Sequence, residues 1–296
     1  MTPSPTFTRV TAAVLAVTSF GACEIVQLAE QAGSKQVAVG TLLHTPETYV
    51  PAAAFSFDDY LEGFADGGVP DLDAGITLPA FTAAAVFFGQ RQGDSLDSTP
   101  IGTTGATGTL IQEGGPTYPL EELGEGNYAL SIDAGVTYVN GGSYRFEFSH
   151  GGQTYVTGVK DAPPRENIRQ LHPDTGFIEM DARTTLTLTR PDPSLDDDRD
   201  IAFVNVFRVA GDGQDQAPTW TNIPSDATGL IKLVVAPNDW KRTTVVIPET
   251  AFPNADETYV VMLMTAKIGL PQSKNLFSAS AVIAGAADIG IVKTRK

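Results

Sequence analysis

The feature that most constrains this chain is a short run near its middle. Tyr144, Phe146 and Phe148 alternate strictly with Arg145, Glu147 and Ser149, between Asn140-Gly141-Gly142 and His150-Gly151-Gly152. Successive side chains of a strand point to opposite faces, so three aromatics share one face and polar residues the other. The glycine pairs supply the backbone freedom that tight turns need. Upstream, Tyr128, Leu130 and Ile132 alternate with Ala129, Ser131 and Asp133, and residues 136–139 form a second candidate strand. Downstream, Thr154-Tyr155-Val156-Thr157 returns. The pattern predicts an antiparallel meander with one dry side, which a second layer must cover.

The rest of the chain repeats this logic. Residues 37–43 and 84–88 are short apolar runs closed by turn residues, and residues 58–75, rich in Asp and Gly, suggest a long surface loop. A second series follows at 185–189, 201–209, 230–235, 243–247, 259–265 and, in two pieces, 277–291. Turns rich in Asp, Gly and Pro separate these runs, and no ten-residue amphipathic helix intervenes, so a sandwich fits better than βαβ units. Residues 260–264 are apolar on both faces and belong in the middle of a sheet. Between the series, Pro163, Pro164 and Pro173 interrupt a polar stretch that resembles a linker. The expectation is an all-β chain of two tandem antiparallel β-sandwiches, at 37–162 and 177–296, joined by a linker at 163–176. Residues 175–296 are then expected to fold alone.

Several of these segments resemble a known architecture. Gly124-Glu125-Gly126-Asn127-Tyr128 with Gly142-Ser143-Tyr144-Arg145-Phe146, and Pro218-Thr219-Trp220 with 244–248 and Thr258-Tyr259-Val260, resemble the immunoglobulin-like or fibronectin-type sandwiches of Gram-negative envelope lipoproteins. The resemblance spans 37–292 and implies a scaffold; it carries over no catalytic residue.

The N-terminus agrees with an envelope address. Arg9 precedes an uncharged, mostly apolar run, 10–20, followed by Gly21-Ala22-Cys23. This is the layout of a signal peptide, and the run is too short to span a bilayer, which needs about 20 residues. Phe20-Gly21-Ala22-Cys23 resembles a lipobox, which implies that 1–22 is removed as a lipoprotein signal peptide and that Cys23 is lipidated, with 23–36 as a tether. Glu24 after it implies sorting to the outer membrane. Cys23 is the single cysteine, so it has no disulfide partner within the chain. An incidental cysteine behind an ordinary secretory signal, and a buried helix, are the alternatives.

Chemistry is harder to read. A net charge of −16 opposes nucleic-acid binding, and 42% hydrophobic against 18% charged residues is enough to build real cores. His44, His150 and His172 stand beside turns without metal-ligand spacing and suggest solvated loop residues. No Gly-x-Ser-x-Gly, Walker-type or His-Glu-x-x-His motif is present, so no residue is assigned a catalytic role. Calcium is the one cofactor worth weighing, at Asp66, Asp71 and Asp73 or at Asp196, Asp197, Asp198 and Asp200, although solvated acidic turns explain both groups. Trp220 and Trp240 are candidates for sugar stacking, with core packing as the simpler account. The expected function is a structural or protein-interaction role at the envelope, with the membrane as partner through Cys23 and an envelope protein or glycan as ligand. A carbohydrate-binding module predicts a flat row of exposed aromatics, and an envelope hydrolase predicts a concave pocket.

Overall fold

A computed structural model of the chain describes residues 35–54, 75–91, 100–131, 134–191, 200–209, 217–223, 237–277 and 280–296. Cys23, Asp66, Asp71, Asp73, Asp196, Asp197 and Asp198 lie outside the described residues, as do Ile132, Asp133 and the strand expected at 230–235.

The described chain is all-β. Its spine is four strands side by side: β1 (Gln36–Thr45), β17 (Ala281–Arg295), β16 (Thr258–Gly269) and β13 (Ile201–Arg208). All four are buried along almost their whole length because both of their faces are covered. Two-sided burial is what the continuous apolar run at 260–264 requires, and β16 does lie centrally, between β17 and β13. β16 pairs antiparallel with both neighbours. β1, however, runs parallel to β17, with Val39 beside Ala281 and His44 beside Ala286. β11 (Ile178–Asp181) also runs parallel to the far end of β17. Wholly antiparallel pairing was the expectation; parallel neighbours need a long crossover, and the chain between these segments supplies it. The hydrogen bonding therefore joins residues of the 37–162 range to residues of the 177–296 range within one sheet.

From β1 the sheet continues through β4 (Phe81–Gln90), β8 (Asn127–Ala129), β7 (Thr117–Gly124), β6 (Thr107–Gln112), β9 (Tyr144–His150) and β10 (Gln153–Val159), with β5 (Ile101–Gly102) beside the end of β4. This arm curls until β10 meets the segment after β16. There the Gln272 and Ser273 N–H groups donate to the Val156 carbonyl at 2.8 and 3.1 Å, and Thr157 bridges to Pro271. The enclosed core holds Tyr144, Phe146 and Phe148 with Phe88, Tyr128, Leu42 and Val282, all buried. Phe88 and Phe148 stack at 4.7 Å. The alternating aromatic strand behaves as its sequence predicts, and Gly151 and Gly152 take φ of 57° and 73° in its hairpin. Residues 136–139 do not form the second strand expected there. The Val139 N–H instead donates to the Tyr144 hydroxyl at 2.6 Å, and Tyr138 stacks on Tyr144.

On the same face of the spine, β12 (Leu186–Thr189) and β15 (Thr244–Ile247) form a small covering sheet, and β14 (Trp220–Thr221) edges β13. Leu188, Ile247 and Phe252 pack on Val204, Val206, Val261 and Leu263, which completes a second sandwich core. On the opposite face, β2 (Thr48–Val50) pairs with β3 (Ile76–Leu78), and Val50 and Ala54 join Met262, Ile289 and Ile291.

The polar stretch between the two strand series is packed down as a strap across β17. Ala162 is buried in the first core, and Ile168 and Leu171 in the second. Gly290 makes this approach possible, since a Cβ there would lie 2.7 Å from a Leu171 methyl carbon.

Candidate functional site

Beneath the strap lies a charge in the apolar part of β17, Ala281–Val292. Asp288 stands on β17 with no exposed surface, opposite Leu263 of β16 and between the Ala284 end of the first core and the Val292 end of the second. A buried carboxylate must be satisfied by donors. The Ile168 N–H donates to its Oδ2 at 2.7 Å, and His172 Nε2 lies 2.7 Å from its Oδ1. The carboxylate can only accept, so Nε2 carries the proton. Arg165 Nη1 lies 3.8 Å from the same Oδ1, and the side chains of Arg165 and His172 are each nearly half exposed, at 44% and 45%. The strap is thus fastened through its backbone at one oxygen and through two side chains at the other.

His44 sits close by, at the β1 position paired with Ala286. Its ring stacks on Tyr138 at 5.2 Å and nearly parallel, and its Nδ1 is 3.1 Å from the Thr82 hydroxyl. Burial holds this ring below the usual histidine range; the Phe81 carbonyl pulls the other way, and the positive Arg165 adds to the lowering. Tyr138 in turn donates to the Pro163 carbonyl at 2.6 Å. Burial pushes its phenol well above the usual range, helped by Tyr144 and Asp200.

A second ion pair holds the strap on its other side. Arg190 is fully buried, and its guanidinium meets Glu166 through two bonds, Nε to Oε2 at 2.7 Å and Nη2 to Oε1 at 2.6 Å. It also donates to the carbonyls of Asp200 at 2.8 Å and Trp240 at 3.4 Å. Burial raises the Asp200 carboxyl above the usual range, opposed by Lys267 and Arg190.

Two of the three histidines, expected as solvated loop residues, make specific side-chain contacts. His44 is a strand residue under an aromatic ring, and His172 is turned inward by a carboxylate that the local pattern around it does not announce. His150 closes β9 at its hairpin. Asp200 is the one calcium candidate among the described residues, and no group of three His, Cys, Asp or Glu converges among them. Trp220 packs against the second core, whereas Trp240 packs with Ile201 and Phe203 and donates its indole N–H to the Asn222 carbonyl at 3.1 Å. The two tryptophans belong to different clusters.

Asp288 was missed from the sequence. It is the single charged residue in the apolar run Ala281–Val292, and that isolation was the available signal. What the arrangement does chemically is to neutralise charge internally. Glu166 and Arg190 match each other, Asp288 meets Arg165 and His172, and among the described residues no serine or threonine hydroxyl bonds to His172.

No family model matches the chain, and no curated protein matches it. Among solved structures, a chimeric titin Z1Z2–Z1Z2 tandem functionalised with a GRGDS peptide from fibronectin is similar at 10% identity, over 72% of this chain and 90% of that one, with a TM-score of 0.18. So low a TM-score leaves the fold resting on the strand pairing described above.

Proposed function

We propose that this chain is an exported lipoprotein, held to the envelope membrane through Cys23, in which immunoglobulin-like sandwiches serve a structural or protein-interaction role. The observation that carries the non-catalytic part is the use made of the central ionisable groups. Asp288, Glu166 and Arg190 are matched inside the molecule, and the strap they fasten ties the two cores into one body. A hydrolase would need such groups convergent and open to a substrate. A glycan platform would need a row of exposed rings, and Tyr49, at 53%, is the large exposed aromatic among the described residues. The anchor is supported by the lone Cys23 behind its apolar run and by β1 starting soon after it, so that a short tether joins lipid to sheet. Among the described residues no helix is long and apolar enough to cross a membrane. Labelled palmitate should enter the wild-type chain in bacterial cells and fail to enter Cys23→Ser. Equal labelling of both would remove the anchor.

A further inference from the structure

The loop before β9 carries a dipeptide that the strand pattern does not use up. Asn140-Gly141 is the one Asn-Gly step in the chain. It forms the corner of that loop: the Gly142 N–H donates to the Val139 carbonyl at 2.9 Å, and Gly141 takes a φ of 73°, which glycine accepts without strain. Asn140 and Gly141 are both exposed. The corner is docked on the start of the strap through a reciprocal pair of backbone bonds. The Gly141 N–H donates to the Ala162 carbonyl, and the Ala162 N–H donates to the Gly142 carbonyl, each at 2.8 Å. Ala162 is fully buried, and the Tyr138 hydroxyl fastens the same stretch by donating to the Pro163 carbonyl at 2.6 Å. The Gly141 nitrogen is thus turned towards the strap and held there while the strap stays down.

We propose that Asn140 is a self-modification site gated by the strap. An asparagine followed by glycine is open to attack on its side-chain amide by the next backbone nitrogen, because glycine has no Cβ to obstruct the approach. The Gly141 nitrogen bonds to Asn140 Cγ and gives up its proton, the Cγ–Nδ2 bond breaks, and ammonia leaves with that proton. The product is a cyclic imide. Water then opens the imide at either carbonyl and leaves aspartate or isoaspartate, so water is the single co-reactant. Closing the ring requires the Gly141 nitrogen to swing from Ala162 towards the Asn140 side chain, so the docking must open first. In isoaspartate the main chain runs through Cβ and is one atom longer, and the Gly141 N–H and Gly142 carbonyl no longer meet Ala162 together. The corner therefore works as a one-way latch: opening of the strap permits the reaction, and the reaction keeps that end of the strap open.

The test uses the full chain carrying Cys23→Ser, so that no lipid tethers it, incubated at neutral pH and sampled over time. Conversion at Asn140 is read by peptide chromatography with mass spectrometry, which separates amide, aspartate and isoaspartate. The folded chain should convert at least about tenfold more slowly than the same chain in urea, because the docking bonds open first. Tyr138→Phe, which keeps the ring and removes the bond to Pro163, should raise the folded rate about 3–10-fold. Asp288→Ala, which releases the strap at Ile168, should raise it as well, and either variant serves if the other does not fold. No conversion in urea, equal rates in the folded and unfolded chain, or folded variants that convert no faster than the parent overturn the gated site. A second measurement addresses the latch. The purified isoaspartate form should exchange its amide hydrogen at Ala162 at least about tenfold faster than the parent, with β16 and β17 unchanged; unaltered protection at Ala162 overturns the latch.

Discussion

Replacing Asp288 by alanine removes the fastening of the strap, and the loss can be worked through bond by bond. The Ile168 N–H, buried and donating at 2.7 Å, would have no acceptor. Such a group costs about 1–3 kcal/mol. The His172 bond is charge-assisted, yet the ring is nearly half exposed and water replaces much of what is lost, so it adds about 1 kcal/mol. Arg165, at 3.8 Å and half exposed, adds little. Asp288→Ala should therefore lose about 2–4 kcal/mol. Asp288→Asn keeps an acceptor for Ile168 and should lose about 1 kcal/mol. Urea unfolding of the full chain reads both, with an unchanged dependence on denaturant as the control that the same surface unfolds. The decisive comparison is with His172→Ala, which leaves the Ile168 bond intact. If His172→Ala costs as much as Asp288→Ala, or if Asp288→Ala costs under about 0.5 kcal/mol, the strap is not held by its backbone at this carboxylate.

Three further perturbations bear on the same framework. Arg190→Met strands the Glu166 carboxylate and two carbonyls, and should cost about 3–5 kcal/mol in urea unfolding; a loss under about 1 kcal/mol would mean that the pair is replaced by water. Because burial lowers the proton affinity of folded His44, the unfolded chain takes up a proton first as pH falls below 6.5, so stability declines with falling pH through that region. His44→Gln should flatten this decline, and an unchanged slope would assign it to other groups. Residues 175–296 expressed alone leave β17 without β1 and the second core without Ile168 and Leu171, so they should unfold without a sharp transition; a cooperative urea curve would show that β16 and β11 suffice as neighbours of β17.

Fold class was legible because it follows from local periodicity. The Tyr144, Phe146 and Phe148 face needed only a strand's alternation and two glycine turns, and both are present. Residues 136–139 read equally well as a strand, but the Tyr144 hydroxyl takes the Val139 N–H that a ladder would have used. The parallel pairing of β1 with β17 was beyond local pattern, since either run would pair as well with any apolar neighbour and only the whole chain chooses. The strap misled for a related reason. Its prolines and charges describe a linker, while the residues that pin it, Ile168, Leu171 and the partner Asp288, are scattered singly among them or lie in another segment. Ion pairs such as Arg190 with Glu166 leave no mark on periodicity at all.

The place of β1 also sets the order in which this molecule can assemble. Its backbone is held on one side by β4 and on the other by β17, and the Ala38 N–H donates to Ser280 across 242 residues of sequence. Contacts so distant are slow to close, because the intervening chain must first be brought round. The opening strand therefore waits, half-paired, until the closing strand has been synthesised. Until β17 reaches it, β1 keeps one unpaired edge, and an unpaired strand edge is open to pairing with another chain.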